Sequence, residues 1–208
     1  MARHRLGVWI AIGIAVTALV GGPSIAGAGT PIEAMKLTSE KVILVLNDDE
    51  LRQPDRAAER RQRLLETVGQ RFSYEDMSKR AMGEHWQRLS EEQKREFVGL
   101  FQALLCKSYL NKIEGYAGEQ IEYLGERLAN GYAEVRARLV SAKNDFLLDF
   151  RLVDRAGEWL VFDVVVDGVS LINSYRGQFA RMLRLLSYDD VIARMREKAD
   201  VALEARVR

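Results

Sequence analysis

Past its first 28 residues the chain carries one imidazole, His85, and one thiol, Cys106, which narrows the chemistry open to it. A cysteine nucleophile needs a base within hydrogen-bond reach, and His85 is far from Cys106 in sequence, with no third group apparent to orient it. Cys106 follows Leu104-Leu105 in an apolar helical pattern and reads as a small core residue. His85, in Gly83-Glu84-His85-Trp86, has no second His or Cys at metal-ligand spacing, so a zinc site would have to be assembled from scattered acids. The loops that cradle nucleotides, G-x-x-x-x-G-K-[ST] and G-x-G-x-x-G, are missing, as is the G-x-S-x-G elbow. No catalytic residue, metal or cofactor is assigned, and any energy the protein uses must come from a partner. Asp163, set in an apolar run, reads as a buried structural carboxylate bound to backbone or to an arginine. The basic cluster Arg56 to Arg63, diluted by Glu59, reads as a solvated helix face.

The elements that would position such residues divide the chain into three parts. Thr30-Pro31-Ile32-Glu33 combines a capping box with proline at the first helical position, and Ile32, Met35, Val42 and Leu46 share one face up to Asn47-Asp48. A second helix is predicted from about Pro54, with Leu64, Leu65 and Val68 inward and Arg56, Arg60, Arg61 and Arg63 outward. Ser73 with Asp76 and Ser90 with Gln93 mark two more helix starts. From Ser90 the residues Phe97, Leu100, Phe101, Leu104, Leu105 and Tyr109 form a broad apolar stripe until Gly115.

After Tyr116 the period drops to two. Val135, Ala137 and Leu139 alternate with Glu134, Arg136 and Arg138, and a similar alternation runs from Phe146 to Leu152. Asn130-Gly131, Asn144-Asp145 and Ala156-Gly157 supply turns, so residues 119–167 read as a four-stranded antiparallel meander. Trp159 to Val166 is apolar on both faces except at Asp163, which predicts a central strand covered on each side. Helices resume at Ser170 and near Ser187. The expected fold class is α+β: a helical N-terminal half, the meander, and C-terminal helices, with helical stripes on one sheet face.

The N-terminus predicts export. Arg3-His4-Arg5 precedes an apolar run from Leu6 to Val20, and Ala26-Gly27-Ala28 forms an A-x-A site, the pattern of a signal peptide cleaved after Ala28. The run falls short of the roughly 20 residues of a membrane span. Residues 29–208 then form one domain. Without Arg3 and Arg5, the 31 Lys and Arg fall to 29 against 30 Asp and Glu. That balance argues against a nucleic-acid binder, whose affinity rests on neutralising phosphates.

Two long blocks carry a resemblance. WLVFDVVVDGVSLINSYRGQF, Trp159 to Phe179, and FSYEDMSKRAMGEHWQRLSEEQKREFVGLFQALLCKSYLNKIEGY, Phe72 to Tyr116, resemble in order and spacing the MlaC, or toluene-tolerance, family of periplasmic phospholipid carriers. The resemblance implies acyl chains held in a pocket between sheet and helices, where composition alone favours a packed core. With periodicity, it points to Leu104, Tyr109, Val135, Phe146, Leu148, Phe150, Val164, Val166, Val169, Ile172, Tyr175 and Phe179 as wall candidates. Which strand face is hollow and which is solid stays open. Tyr175-Arg176 matches a similar pair in the family, so Arg176 is either a contact for a lipid phosphate or a surface arginine. The implied partners are an outer-membrane lipoprotein complex and an inner-membrane complex of a lipid-binding ring and an ABC transporter. Leu160 and Phe162 stand where relatives are more polar, which leaves a hopanoid or other polycyclic lipid as an alternative cargo. Outside the carrier class, the alternatives are a small hydrolase and a ligand-free interaction module.

Overall fold

The computed structural model describes residues 29–116, 118–141 and 145–204. The first 28 residues, where the export signal is predicted, lie outside them, as does Asn144 of one expected turn.

Helix α1 spans Pro31–Asn47 and begins as its capping box requires. The Thr30 amide donates to the Glu33 carboxylate at 2.7 Å, and the Glu33 amide donates to the Thr30 hydroxyl at 3.3 Å. A further carboxylate, Glu126, accepts from the Ile32 amide at 2.7 Å, placing negative charge at the positive end of the helix. After a 3-10 turn at Pro54–Arg56 come α2 (Ala57–Gly69) and α3 (Tyr74–Met82). A second 3-10 turn, Gly83–Arg88, leads into α4 (Glu91–Glu114). The Ser73 and Ser90 caps form as predicted: Asp76 N–H donates to the Ser73 hydroxyl, and Ser90 and Gln93 exchange side-chain to backbone bonds.

The sheet comprises β1 (Gln120–Ala129), β2 (Tyr132–Val140), β3 (Phe146–Arg155), β4 (Glu158–Val166) and the two-residue β5 (Val169–Ser170), side by side in chain order. The expected four-stranded meander is present, and β5 is an addition to it. Three two-residue turns have both central residues in the left-handed region: Asn130-Gly131, Ala156-Gly157 and Asp167-Gly168. This backbone matches the twist of adjoining strands. At Ala156 it places a β-carbon in a disfavoured conformation, with the Asp154 carboxylate accepting from the Gly157 amide at 2.8 Å.

Strand β4 is covered on both faces, as its composition predicts, but it is not central. On its far side among the described residues are β5 and a parallel bridge to Phe72, in which Ser73 N–H donates to Val161 O and Val161 N–H to Arg71 O. A bulge shifts its register. Arg151 faces Asp163 and Leu152 faces Val161, so Phe162 is the extra residue. Val161 and Val164 both reach the apolar cluster under α1 in consequence, while Phe162 packs beneath the Arg80 guanidinium, 3.9 Å from its ring centroid. The C-terminal helices are α5 (Leu171–Leu183), capped by Ser170, and α6 (Tyr188–Glu204), capped by Ser187 with Asp190.

Two apolar clusters result. One is centred on the helices, built on Met77, Phe97, Phe101, Ile172, Phe179 and Val191, with Phe72 and Phe162 packed against it. The other joins α1 to the sheet through Met35, Ala133, Val135, Leu152 and Val161. Among the described residues no helix is long and apolar enough to cross a membrane.

Candidate functional site

Between the inner face of the sheet and helices α1, α2 and α4 lies a cavity of about 440 Å³. Its walls follow from the periodicities of the elements that bound it. From α1 come Met35, Val42, Ile43 and Leu46, one helical face; from α2, Leu64, Leu65 and Val68; from α4, Leu105, Tyr109, Leu110 and Ile113. The sheet contributes Ile121, Leu139, Leu148, Phe150, Val164 and Val166, with Leu148 opposite Val166 and Phe150 opposite Val164.

The cavity has a direction. Lining residue Val166 is 39% exposed, whereas Leu64 and Met77, which line it too, are 0% and 1% exposed. Tyr116, Glu119, Ile121 and Leu139 lie at the same end of the sheet as Val166, so the mouth is where α4 hands over to β1 and where β4 ends. At the opposite end, Met35 packs onto Val135, Leu152 and Val161 and the space is solid.

Few polar groups face this space, and Thr38, Ser39 and Tyr74 among them are hydrogen-bonded. The Thr38 hydroxyl donates to Ala34 O at 2.9 Å and accepts from Arg71 Nε at 2.9 Å, while Arg71 also donates to Trp159 O. Ser39 and Tyr123 share a 2.6 Å hydrogen bond between α1 and β1. Burial raises the Tyr123 phenol pKa, against the opposing pull of Ser39. Tyr74 and Cys106 meet at 3.8 Å, and burial, then the neighbouring thiol, pushes the Tyr74 phenol well above its ordinary value. Burial likewise raises Tyr109. The three phenols are un-ionised at neutral pH, which suits an apolar occupant. Among the described residues no group of three His, Cys, Asp or Glu side chains is disposed to hold a metal ion.

Of the wall candidates from sequence, Tyr109, Leu148, Phe150, Val164 and Val166 line this cavity. Leu104, Tyr175 and Phe179 instead line a second space of about 420 Å³ among α4, α5 and α6, rimmed by Arg194, Glu197 and Lys198. Val135 and Ile172 are solid core, the first under α1 and the second in the helical cluster. Phe146 and Val169 stand exposed near the mouth end of the sheet. Arg176 is exposed on α5, on the α3 side, and has no place in the cavity lining. Its guanidinium packs against Gly83, where a Cβ would come within 3.1 Å of Nε and where φ is +57°.

Other residues behave as their setting requires. Asp163 is buried and accepts from Ser170 Oγ at 2.7 Å, the Ile172 amide at 3.0 Å and Arg151 at 3.1 Å, which fixes β4 to the start of α5. Leu160 and Phe162, the departures that suggested a different cargo, do not line the cavity. Arg61 is not part of a solvated face: its guanidinium forks onto Glu114, at 3.3 and 2.5 Å, tying α2 to the end of α4. Arg56 and Arg63 both hold Glu59. The lining residues of α1 and α2 were visible in sequence as core-facing stripes, but nothing local marked them as cavity walls.

Comparison with known proteins agrees with this architecture. A family model described as MlaC protein matches residues 36–197. A curated relative from Haemophilus influenzae, the intermembrane phospholipid transport system binding protein MlaC, is 25% identical over 126 residues, 58% of this chain. The match spans 59% of the relative's own length. The solved structure of a phospholipid-binding protein from Ralstonia solanacearum, in complex with a phospholipid, superposes with a TM-score of 0.73 at 20% identity, covering 84% of this chain and 99% of that one. At that identity the likeness is one of fold.

Proposed function

The chain belongs to the MlaC family, and from that premise we propose that it is a periplasmic phospholipid carrier which encloses the acyl chains of its cargo in the cavity between sheet and helices. The observation that carries this reading is the cavity itself, apolar along its length, open at one end of the sheet and closed by packed side chains at the other. Each methylene moved from water into such a site gains roughly 0.8 kcal/mol, so a two-chain lipid leaves a bilayer for water only at a cost that enclosure removes. The wall needs no charge for this. The headgroup is left at the mouth, beside Tyr116 and Glu119, and Tyr109, Leu148, Phe150, Val164 and Val166 contact the chains together with the inward stripes of α1 and α2.

In this reading residues 1–28 are removed on export and residues 29–208 form the carrier. It exchanges lipid with an outer-membrane lipoprotein complex and with an inner-membrane complex of a lipid-binding ring and an ABC transporter, in the service of outer-membrane lipid asymmetry. The curated relative's role in an intermembrane phospholipid transport system supports this assignment. The protein performs no covalent step; direction comes from its partners.

The test is native mass spectrometry of the protein purified from periplasm without detergent, followed by solvent extraction of what it carries. A stoichiometric phospholipid is the expected result. A hopanoid would replace the cargo while keeping the carrier. A mass without ligand, unchanged after incubation with phospholipid vesicles, would overturn the reading.

A further inference from the structure

The closed end of the cavity includes two stacked aromatic rings, Phe72 and Tyr74. Phe72 belongs to both apolar clusters, and its backbone neighbours are bonded to β4 as a strand would be, with Ser73 N–H on Val161 O at 2.9 Å and Val161 N–H on Arg71 O at 2.8 Å. Tyr74 stacks on Phe72 at a centroid distance of 6.3 Å and an interplanar angle of 24°. Its hydroxyl reaches across to Cys106 of α4. Met77 and Leu105 line the cavity at the same end and belong to the helical cluster, so with the rings they separate empty space from packed core.

The depth in front of this end is a definite length. From Leu105 to Ile113 along α4 is about 12 Å at 1.5 Å per residue. From Leu148 near the mouth to Leu152 in the solid cluster is about 13 Å along β3. One leaflet of a bilayer has a hydrocarbon thickness of about 15 Å, half of the roughly 30 Å core. The depth of the cavity is therefore close to the hydrocarbon thickness of one leaflet, the span that an acyl chain occupies in a fluid bilayer.

We propose that Tyr74, backed by Phe72, is the end-stop that sets the acyl-chain length this protein prefers. The inference rests on the carrier reading and adds a specificity residue to it. A chain that reaches the Tyr74 ring has all its methylenes enclosed. A longer one leaves the excess at the mouth, and each methylene left in water forfeits about fourfold in retention.

The experiment is competitive loading of the mature protein from vesicles containing equal amounts of dimyristoyl, dipalmitoyl and distearoyl phosphatidylglycerol, with the bound species resolved by native mass spectrometry. Tyr74→Ala deepens the cavity and should move the bound stearoyl-to-myristoyl ratio up by fourfold or more. Cys106→Leu fills the same end from α4 and should move it down. An unchanged ratio in a stoichiometrically loaded Tyr74→Ala protein would overturn the end-stop. Should that variant fail to fold, Cys106→Leu decides the matter alone: a lower ratio supports the end-stop, and an unchanged one overturns it. A wild-type protein that takes up no lipid from the mixture would overturn the carrier reading, and the end-stop with it.

Discussion

Leu148 and Leu152 provide a controlled comparison within one strand. They lie on the same face of β3, four positions apart, but Leu148 borders the cavity while Leu152 is fully buried against Ala133, Val135, Val161 and Met35. Truncating Leu152 to alanine removes a side chain with atoms on every side and leaves a hole, at about 3 kcal/mol. Truncating Leu148 in lipid-free protein removes contacts on one side only, because the other side already lacks them, and should cost about 1 kcal/mol. For a domain of this size each kcal/mol shifts the melting temperature by about 2–4 °C, so Leu152→Ala should melt about 6–12 °C below wild type and Leu148→Ala about 2–4 °C below. Urea unfolding of delipidated protein, followed by the fluorescence of Trp86 and Trp159, reads both losses. Loading with phospholipid should then widen the deficit of Leu148→Ala, since the lipid supplies its missing partner. Losses that agree within about 0.5 kcal/mol without lipid would mean that the space beside Leu148 is collapsed in the free protein, and the cavity argument would fail.

Asp163→Asn removes the charge that Ser170, the Ile172 amide and Arg151 converge on; a loss of about 2–3 kcal/mol in urea unfolding is expected, and a loss below about 1 kcal/mol would show that the junction of β4 with α5 does not depend on it. Burial alone would raise the Asp76 carboxyl, but hydrogen bonds from Arg155 and Ser73 and the charges of Arg155 and Arg80 outweigh it and hold the group below the ordinary carboxylate range. Its contribution is therefore complete above the unfolded value of about 3.9 and is lost as pH falls through the folded one. Thermal melts from neutral pH downward should show a steeper loss below about pH 4 for wild type than for Asp76→Asn; parallel curves would refute this. Cys106 borders the cavity, so a small thiol reagent should label it faster in lipid-free than in lipid-loaded protein, as read by mass spectrometry; equal rates would place the lipid elsewhere.

Much of the fold is local and was legible for that reason. The caps at Thr30, Ser73, Ser90, Ser170 and Ser187 are pairs of residues three apart whose side chains and amides find each other within one helical turn. The alternation of Val135 and Ala137 predicted the buried face of β2, whereas β3 alternates less clearly, with Phe146 exposed and Val153 buried beside Leu152. Asp163 stood out because a carboxylate in an apolar strand must be satisfied by something. The bulge at Phe162 left no such mark, since it is defined by register against β3. The cavity was the least legible feature. Val135 and Leu148 face the same side of the sheet with equivalent chemistry, and they differ only in whether Met35 or empty space lies opposite, which depends on where α1 crosses. The role of Arg61 was hidden likewise: its partner, Glu114, lies at the far end of another helix.

The sheet's strand order has a kinetic consequence. Because β1 to β5 lie side by side in the order of the chain, with two-residue turns at Asn130, Ala156 and Asp167 forming three of the four junctions, its strand pairings arise between near neighbours in sequence. Such pairings close short loops, which form quickly and forgo little chain entropy. The helical face, by contrast, must assemble around an unfilled space and draws less from packing than a solid core would. A meander that can form from local contacts gives the helices a finished surface to dock on, so folding need not wait for the space between them to be filled.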